Sequence, residues 1–414
     1  MANNFLNIEK TTSGRAYFGH FAINEVFNTT TPFFTKFLTL LLFLFISNRL
    51  FARHLCCIFF LSTHLSLVSQ NGIQLRAEVD KLLRYEAEID FQKTPGLIIG
   101  ILDGDSTFIL PYGSLYQDTI VPPDEHSVFE LGDLTQVFTS ACLLELALEG
   151  HIDLDKSINH YLPEALQNNT ADEITLLNLL THTAGLPRLP SGIGLHESAD
   201  GQLFADYPLP YLAGFFKKFD FNLVKKGKYS YAPLGFALLD LLFYQNDLGR
   251  KKLAEYIEAK LYDLFGMDES YFDQPDSLRS PPVPGYNKAG LPTAPMRFAS
   301  FRHALGLKST MHDVLQFLKA NLDNPSKLSE LQRPLFPTHR KGTWSALGWH
   351  VLRHRKRPDI ITHTGTTSGH RAAIAFVKET RTGVAILSNS PYGLNGLEFE
   401  ILRMLNNDWK RKAP

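Results

Sequence analysis

Apolar positions recur along the chain with different periods. Between Gln74 and Asp90, the residues Leu75, Val79, Leu82, Leu83 and Ala87 fall at helical spacing, which predicts an amphipathic helix. LIIGILD at 97–103 is apolar without interruption, Asp103-Gly104 suits a tight turn, and STFILPYG at 106–113 returns, so a strand pair is expected. VFTSACLLELALEG at 137–150 is apolar nearly all round, which predicts a buried helix ended by Gly150. Further helices are expected at 174–182, 233–246, 251–265 and 310–322, separated by Pro- and Gly-rich loops such as 184–195 and 280–294. Strand character returns at 344–352, 371–379 and 383–389, and 397–407 closes with a helix.

If the two strand groups share one sheet, the helical middle is an insertion between them. The domain is then built from a sheet part at 71–132 and 335–414 and a helical part at 133–334, with 396–414 as its terminal helix. The junction of the two parts is a natural ligand cleft.

Ahead of this domain lies a different pattern. FLTLLLFLFI at 37–46 and LCCIFFL at 55–61 are separated by Arg49, Arg53 and His54, and neither run reaches the ~18–20 apolar residues of a membrane span. A basic flank, a short apolar stretch and Ser69 before the folded part suggest an export signal within residues 1–70; an uncleaved N-terminal anchor made of both runs is the alternative. The protein is accordingly expected to be exported, periplasmic or membrane-anchored. Composition adds exclusions. With 44% hydrophobic and 20% charged residues the 414-residue chain folds rather than staying disordered. Its net charge of -1 gives no field that would recruit nucleic acid. Three cysteines, two of them the adjacent Cys56 and Cys57, make no disulfide framework.

Seven blocks, in order, resemble the serine beta-lactamase and penicillin-binding-protein superfamily, in its class C beta-lactamase, D-Ala-D-Ala carboxypeptidase and esterase branch. They are TPGLIIGILDGD (94–105), the run from Val128 to Glu164, ITLLNLLTHTAGLP (174–187), LFGMDES (264–270), LGLKSTMHDVLQFL (305–318), LGW (347–349) and HTGTTSGHRAAIAF (363–376). The resemblance implies an α/β (α+β) fold of transpeptidase type, an antiparallel sheet flanked by helices with a mostly helical inserted subdomain. It also implies three motifs on one cleft. A Ser-x-x-Lys supplies nucleophile and amine, a Tyr-x-Asn supplies a proton-shuttling phenol and a substrate-holding amide, and a Lys/His-Thr-Gly on an edge strand aligns the substrate beside an oxyanion hole.

Here the first motif is degenerate. In LGDLTQVFT the nucleophile position is Asp133 and the base position Gln136, and no serine in the chain has a lysine three residues on. In KYSYAPLGFALL, Tyr231 keeps the phenol but Pro233 replaces the amide. His363, Thr364 and Gly365 preserve the third motif. The implied catalytic positions are thus Asp133, Gln136, Tyr231 and His363, and the implied substrate-binding positions Pro233, Thr364 and Gly365. Asp133 alternatively reads as a helix N-cap, its carboxylate taking N–H bonds. Without a neighbouring cation Tyr231 stays protonated.

The expectation is a catalytically inactive relative whose cleft binds a peptide, cell-wall fragment or protein partner. The alternative is an active hydrolase of the same branch using Tyr231, His363 and another nucleophile. No cofactor and no metal site is expected, because neither HExxH nor a Cys/His cluster occurs. His182 reads as a structural histidine, and His350 and His354 lie on a strand. Arg353 to Arg357 reads as a solvated hairpin tip, and Arg381-Thr382-Gly383 as a hairpin turn. Oligomeric state is left open.

Overall fold

A computed structural model of the chain describes residues 72–406 apart from 86–88, 90, 92–93, 197–200, 244–251, 274–279, 324–327, 393 and 395. The apolar runs at 37–46 and 55–61 lie outside the described residues. Among those residues, no helix is long and apolar enough to cross a membrane.

The first described helix, α1, spans 72–85. Strands β1 (Gly96–Asp103) and β2 (Ser106–Gly113) then pair antiparallel through the two-residue loop Gly104-Asp105, with Asp103 opposite Ser106. The chain next runs through β3 (Phe129–Glu130), α2 (Thr135–Leu148), α3 (Leu176–Leu180), α4 (Leu209–Lys218), α5 (Pro233–Leu242) and α6 (Leu253–Phe265). It continues through β4 (Gly285–Tyr286), β5 (Pro292–Thr293), α7 (Arg302–Leu305), β6 (Lys308–Ser309) and α8 (Met311–Asp323). Strands β7 (Phe336–Pro337), β8 (Thr343–Ser345), β9 (His350–His354), β10 (Arg357–Thr366), β11 (Arg371–Val377) and β12 (Thr382–Ser388) follow, and α9 (Leu397–Leu405) ends the fold.

Eight strands form one antiparallel sheet in the order β2-β1-β12-β11-β10-β9-β8-β7. The first strand therefore pairs with the last, Leu97 opposite Ser388 and Ile101 opposite Val384. Both faces of β1 are covered, which is why its sequence is apolar without alternation. Leu97, Ile99 and Ile101 join Ala375, Ile386 and Ile401 in a core under α1 and α9. Ile98 and Leu102 belong to a larger core shared with α2, α5 and α8. The expected antiparallel sheet flanked by helices is what the chain forms.

Three local expectations need correction. The segment 344–352 is two strands, because the chain breaks at Leu347-Gly348-Trp349. Gly348 takes φ +71, its N–H donates to the Leu180 carbonyl at 3.0 Å, and Trp349 turns into the core. β10, carrying the third motif, is not an edge strand of the sheet, since β9 pairs with it as far as Thr362 opposite His350. Beyond Thr362 it pairs only with β11, and the vacated side receives the turn before α2. Helix α4 was unexpected because Pro210 and Gly214 interrupt its pattern; the proline lies in the first turn, where it is tolerated.

Candidate functional site

The chain reaches α2 through a 3₁₀ turn, Gly132–Leu134. Two close approaches hold this turn against β10. A Cβ on Gly365 would lie 1.9 Å from the Leu131 carbonyl oxygen, and one on Gly132, at φ +54, would lie 2.7 Å from the Thr366 backbone. Asp133 and the third motif are thereby brought into register. The residue preceding α2 is Leu134, which makes no side-chain cap. The reading of Asp133 as an N-cap is therefore overturned: Asp133 sits one residue too early, and its carboxylate turns to other partners.

Those partners close a small network. The Tyr231 hydroxyl donates to Asp133 Oδ1 at 2.8 Å. Gln136 Nε2 donates to the Tyr231 oxygen at 3.1 Å and reaches Asp133 Oδ1 only at 3.4 Å. The backbone of Asp133 and Thr366 lies close enough to favour the charged carboxylate. Burial pushes the Asp133 carboxyl above its usual range, against the Tyr231 hydrogen bond and the charge of Arg188. The Tyr231 phenol is pushed well up, first by burial and then by the Asp133 charge. Gln136 is fully buried, and its Oε1 finds no partner.

Three histidines wall the site. The His182 ring centroid lies 4.5 Å from that of Tyr231, and His363 lies 6.3 Å from it. His350 stacks on His363 at 5.4 Å and 20° and meets the Tyr229 hydroxyl at 2.7 Å. Burial lowers all three, His182 to about 3, His350 to about 4 and His363 well below its ordinary value, so the rings are neutral at pH 7. His363 Nδ1 is buried without a partner. Exposed Arg188 places its guanidinium 5.2 Å from the Tyr231 ring centroid.

Asp133, Gln136, Tyr231 and His363 are thus assembled in one place, with Thr364 half-buried and Gly365 buried on β10 beside them. Pro233 departs from the expectation. It is buried at the first position of α5, where a proline's fixed φ suits a helix start and no polar group reaches a ligand. Sequence reasoning missed Arg188, Tyr229, His350 and Thr366. Thr366 comes near the carboxyl through its backbone, which no residue type announces, and His350 reads in the sequence only as a strand residue. One threonine, Thr338, does have a lysine three residues on, Lys341. The pair lies in the β7–β8 turn, where the Thr338 hydroxyl is bonded to the Thr343 carbonyl at 3.0 Å. A cavity of about 590 Å³ opens beside His350 and His363.

The family model for Beta-lactamase matches residues 79–405, most of the chain. The chain belongs to the beta-lactamase family. A beta-lactamase of Providencia stuartii is 24% identical to this family member over 368 residues, covering 80% of this chain and 91% of its own. The D-alanyl-D-alanine-carboxypeptidase/endopeptidase AmpH of Escherichia coli K12 is 25% identical over 385 residues, covering 86% and 96%. A class C beta-lactamase from Rhodobacter sphaeroides superposes with a TM-score of 0.67 at 19% identity, covering 80% of this chain and 99% of its own. This likeness is one of fold.

Proposed function

We propose that this beta-lactamase relative is catalytically inactive and binds a peptide, cell-wall fragment or protein partner in its cleft without cleaving it. The observation that carries this reading is the Asp133 carboxylate standing at the nucleophile position with the Tyr231 hydroxyl donating to it at 2.8 Å. Acyl transfer develops negative charge on the oxyanion of the tetrahedral intermediate, which free donors stabilise. A carboxylate at the nucleophile position repels that developing charge. No hydroxyl stands at the nucleophile position, and Gln136 brings a neutral amide where an ammonium would activate it. The Tyr231 proton is already committed to Asp133. Losing the nucleophile of a coupled serine-hydrolase site costs about 10⁶ in rate, with ~10³–10⁴ over water left to binding and the oxyanion hole.

The alternative, an active hydrolase with another nucleophile, is supported by relatives named as beta-lactamases and carboxypeptidases. Incubation with a fluorescent penicillin followed by intact-mass analysis separates the two: the inactive reading expects no adduct and no turnover of a chromogenic cephalosporin. A stoichiometric acyl adduct on any side chain overturns it. The apolar runs before residue 70 support export or a membrane tether, which fractionation and N-terminal sequencing of the mature protein would test.

A further inference from the structure

Next to the site the surface carries a concentration of positive charge that the net charge of -1 conceals. A cavity of about 680 Å³ is lined by Lys225, Lys226, Lys228, Tyr229 and His339. It shares Tyr229, Thr338 and His339 with the 590 Å³ cavity beside His350 and His363, which adds Arg340 and Arg371. The two therefore form one groove running from the 225–228 loop to the third motif. Five of its lining residues are cations. The one carboxylate lining it, Glu398, is buried, and burial pushes its carboxyl up, toward the neutral form.

Four of these cations, all but Arg371, are not engaged in holding the fold. Lys225, Lys228 and Arg340 are exposed and make no ion pair among the described residues. Lys226 meets only the exposed Glu173, at 3.3 Å, a surface pair of little strength. At the inner end, Arg371 Nε and the buried His363 Nδ1 have no hydrogen-bond partner. A cleft lined by one sign of charge focuses its field and concentrates ligands of the opposite sign. The unpaired Arg371 Nε–H at its inner end would receive a ligand's acceptor, since a buried polar group left unmade is costly.

We infer that this groove is a binding site for an acidic peptide, a chain with several carboxylates spaced along it, lying over Lys225, Lys228 and Arg340 with its end near His363. The inference goes beyond the proposed function and does not depend on it: a penicillin adduct would end the inactive reading and leave the groove untouched.

Fluorescein-labelled hexaglutamate, hexaglutamine and hexalysine, followed by anisotropy on the full chain at low and at physiological salt, test it. Hexaglutamate alone should bind, more weakly as salt rises. Lys225→Gln with Lys228→Gln and Arg340→Gln should weaken it by about tenfold or more, the effect of removing three focused charges. Lys156→Gln with Lys319→Gln and Arg333→Gln, outside the groove, should leave binding within about twofold. Absence of hexaglutamate binding, equal losses in both triple variants, or tighter binding of a single-stranded oligonucleotide of the same charge would each overturn the inference.

Discussion

Asp133 determines what the assembled site can do, because its carboxylate takes the Tyr231 proton donor where a nucleophile would stand. Replacing it by serine frees the Tyr231 hydroxyl and supplies a second one, but leaves Tyr231 with only the exposed Arg188 guanidinium, over its ring, as a cation. Gln136→Lys would put an ammonium where Nε2 now lies 3.1 Å from the Tyr231 oxygen, favouring the phenolate. We therefore expect Asp133→Ser with Gln136→Lys to form a penicillin adduct, and Asp133→Ser alone to do so at least ~10²-fold more slowly, the usual worth of a positioned base. Adding Pro233→Asn restores an amide at the start of α5. Time-resolved mass spectrometry reads the rates, and a folded triple variant that remains unlabelled would mean the cleft has been reshaped beyond these side chains. At this scale the identity changes at 133, 136 and 233 were legible in the sequence, since flanking blocks fix the register. The contacts of Asp133 were not, because its main partner Tyr231 comes from a distant segment and its offset from the helix start depends on a 3₁₀ turn that periodicity does not encode.

Elements meet at the site through very short distances, and this gives each contact a measurable weight. Gly365→Ala would place a methyl 1.9 Å from the Leu131 carbonyl, so β10 and the turn before α2 must part. A loss of about 1–3 kcal/mol in urea unfolding is expected, the range of overpacked interiors. A second joint is titratable. Asp313, near the start of α8, accepts from Ser270 Oγ at 2.6 Å and from the Glu269 N–H at 3.0 Å, tying that loop to the helix. Burial pushes its carboxyl up to about 6 against those bonds. Between an unfolded value of about 3.9 and that figure the native state binds the extra proton, so this contribution is complete below pH 4 and lost as pH rises through about 6. Asp313→Asn should flatten the pH dependence of the urea midpoint across this window by on the order of 2 kcal/mol; an unaltered slope would refute the assignment. Helices such as α2 and the β1–β2 hairpin were readable from spacing and turn chemistry. The break at Gly348 was not, since Trp344 to Leu352 alternates as a strand would and only packing on α2 interrupts it.

Across the whole molecule, two cores share one sheet. The smaller, under α1 and α9, draws on one face of β1, β11 and β12. The larger joins the other face to the helical region, with Phe138 of α2, Leu238 of α5, Phe317 of α8 and Phe376 of β11 in one contiguous cluster around Trp349. That the strand groups at the two ends of the chain would meet was legible as an if; what made it so is the exchange of hydrogen bonds between β1 and β12, nearly the full length of the domain apart in sequence. Because the helical region has no separate apolar interior, it cannot unfold while the sheet face beneath it stays covered. Far-UV circular dichroism, dominated by the helices, and the fluorescence of a variant keeping Trp349, stacked on Phe317 with ring centroids 6.2 Å apart, but with Trp344 and Trp409 replaced by Phe, should therefore report the same urea midpoint and slope. Closing a sheet from such distant strands also slows folding, since loop entropy opposes the pairing before any contact rewards it. Refolding should run on a scale of about seconds or longer, with both probes in one phase. A helical signal that survives past the loss of the tryptophan transition would mean the inserted region carries a core of its own, and the cleft between the two parts would then be a hinge rather than a fixed wall.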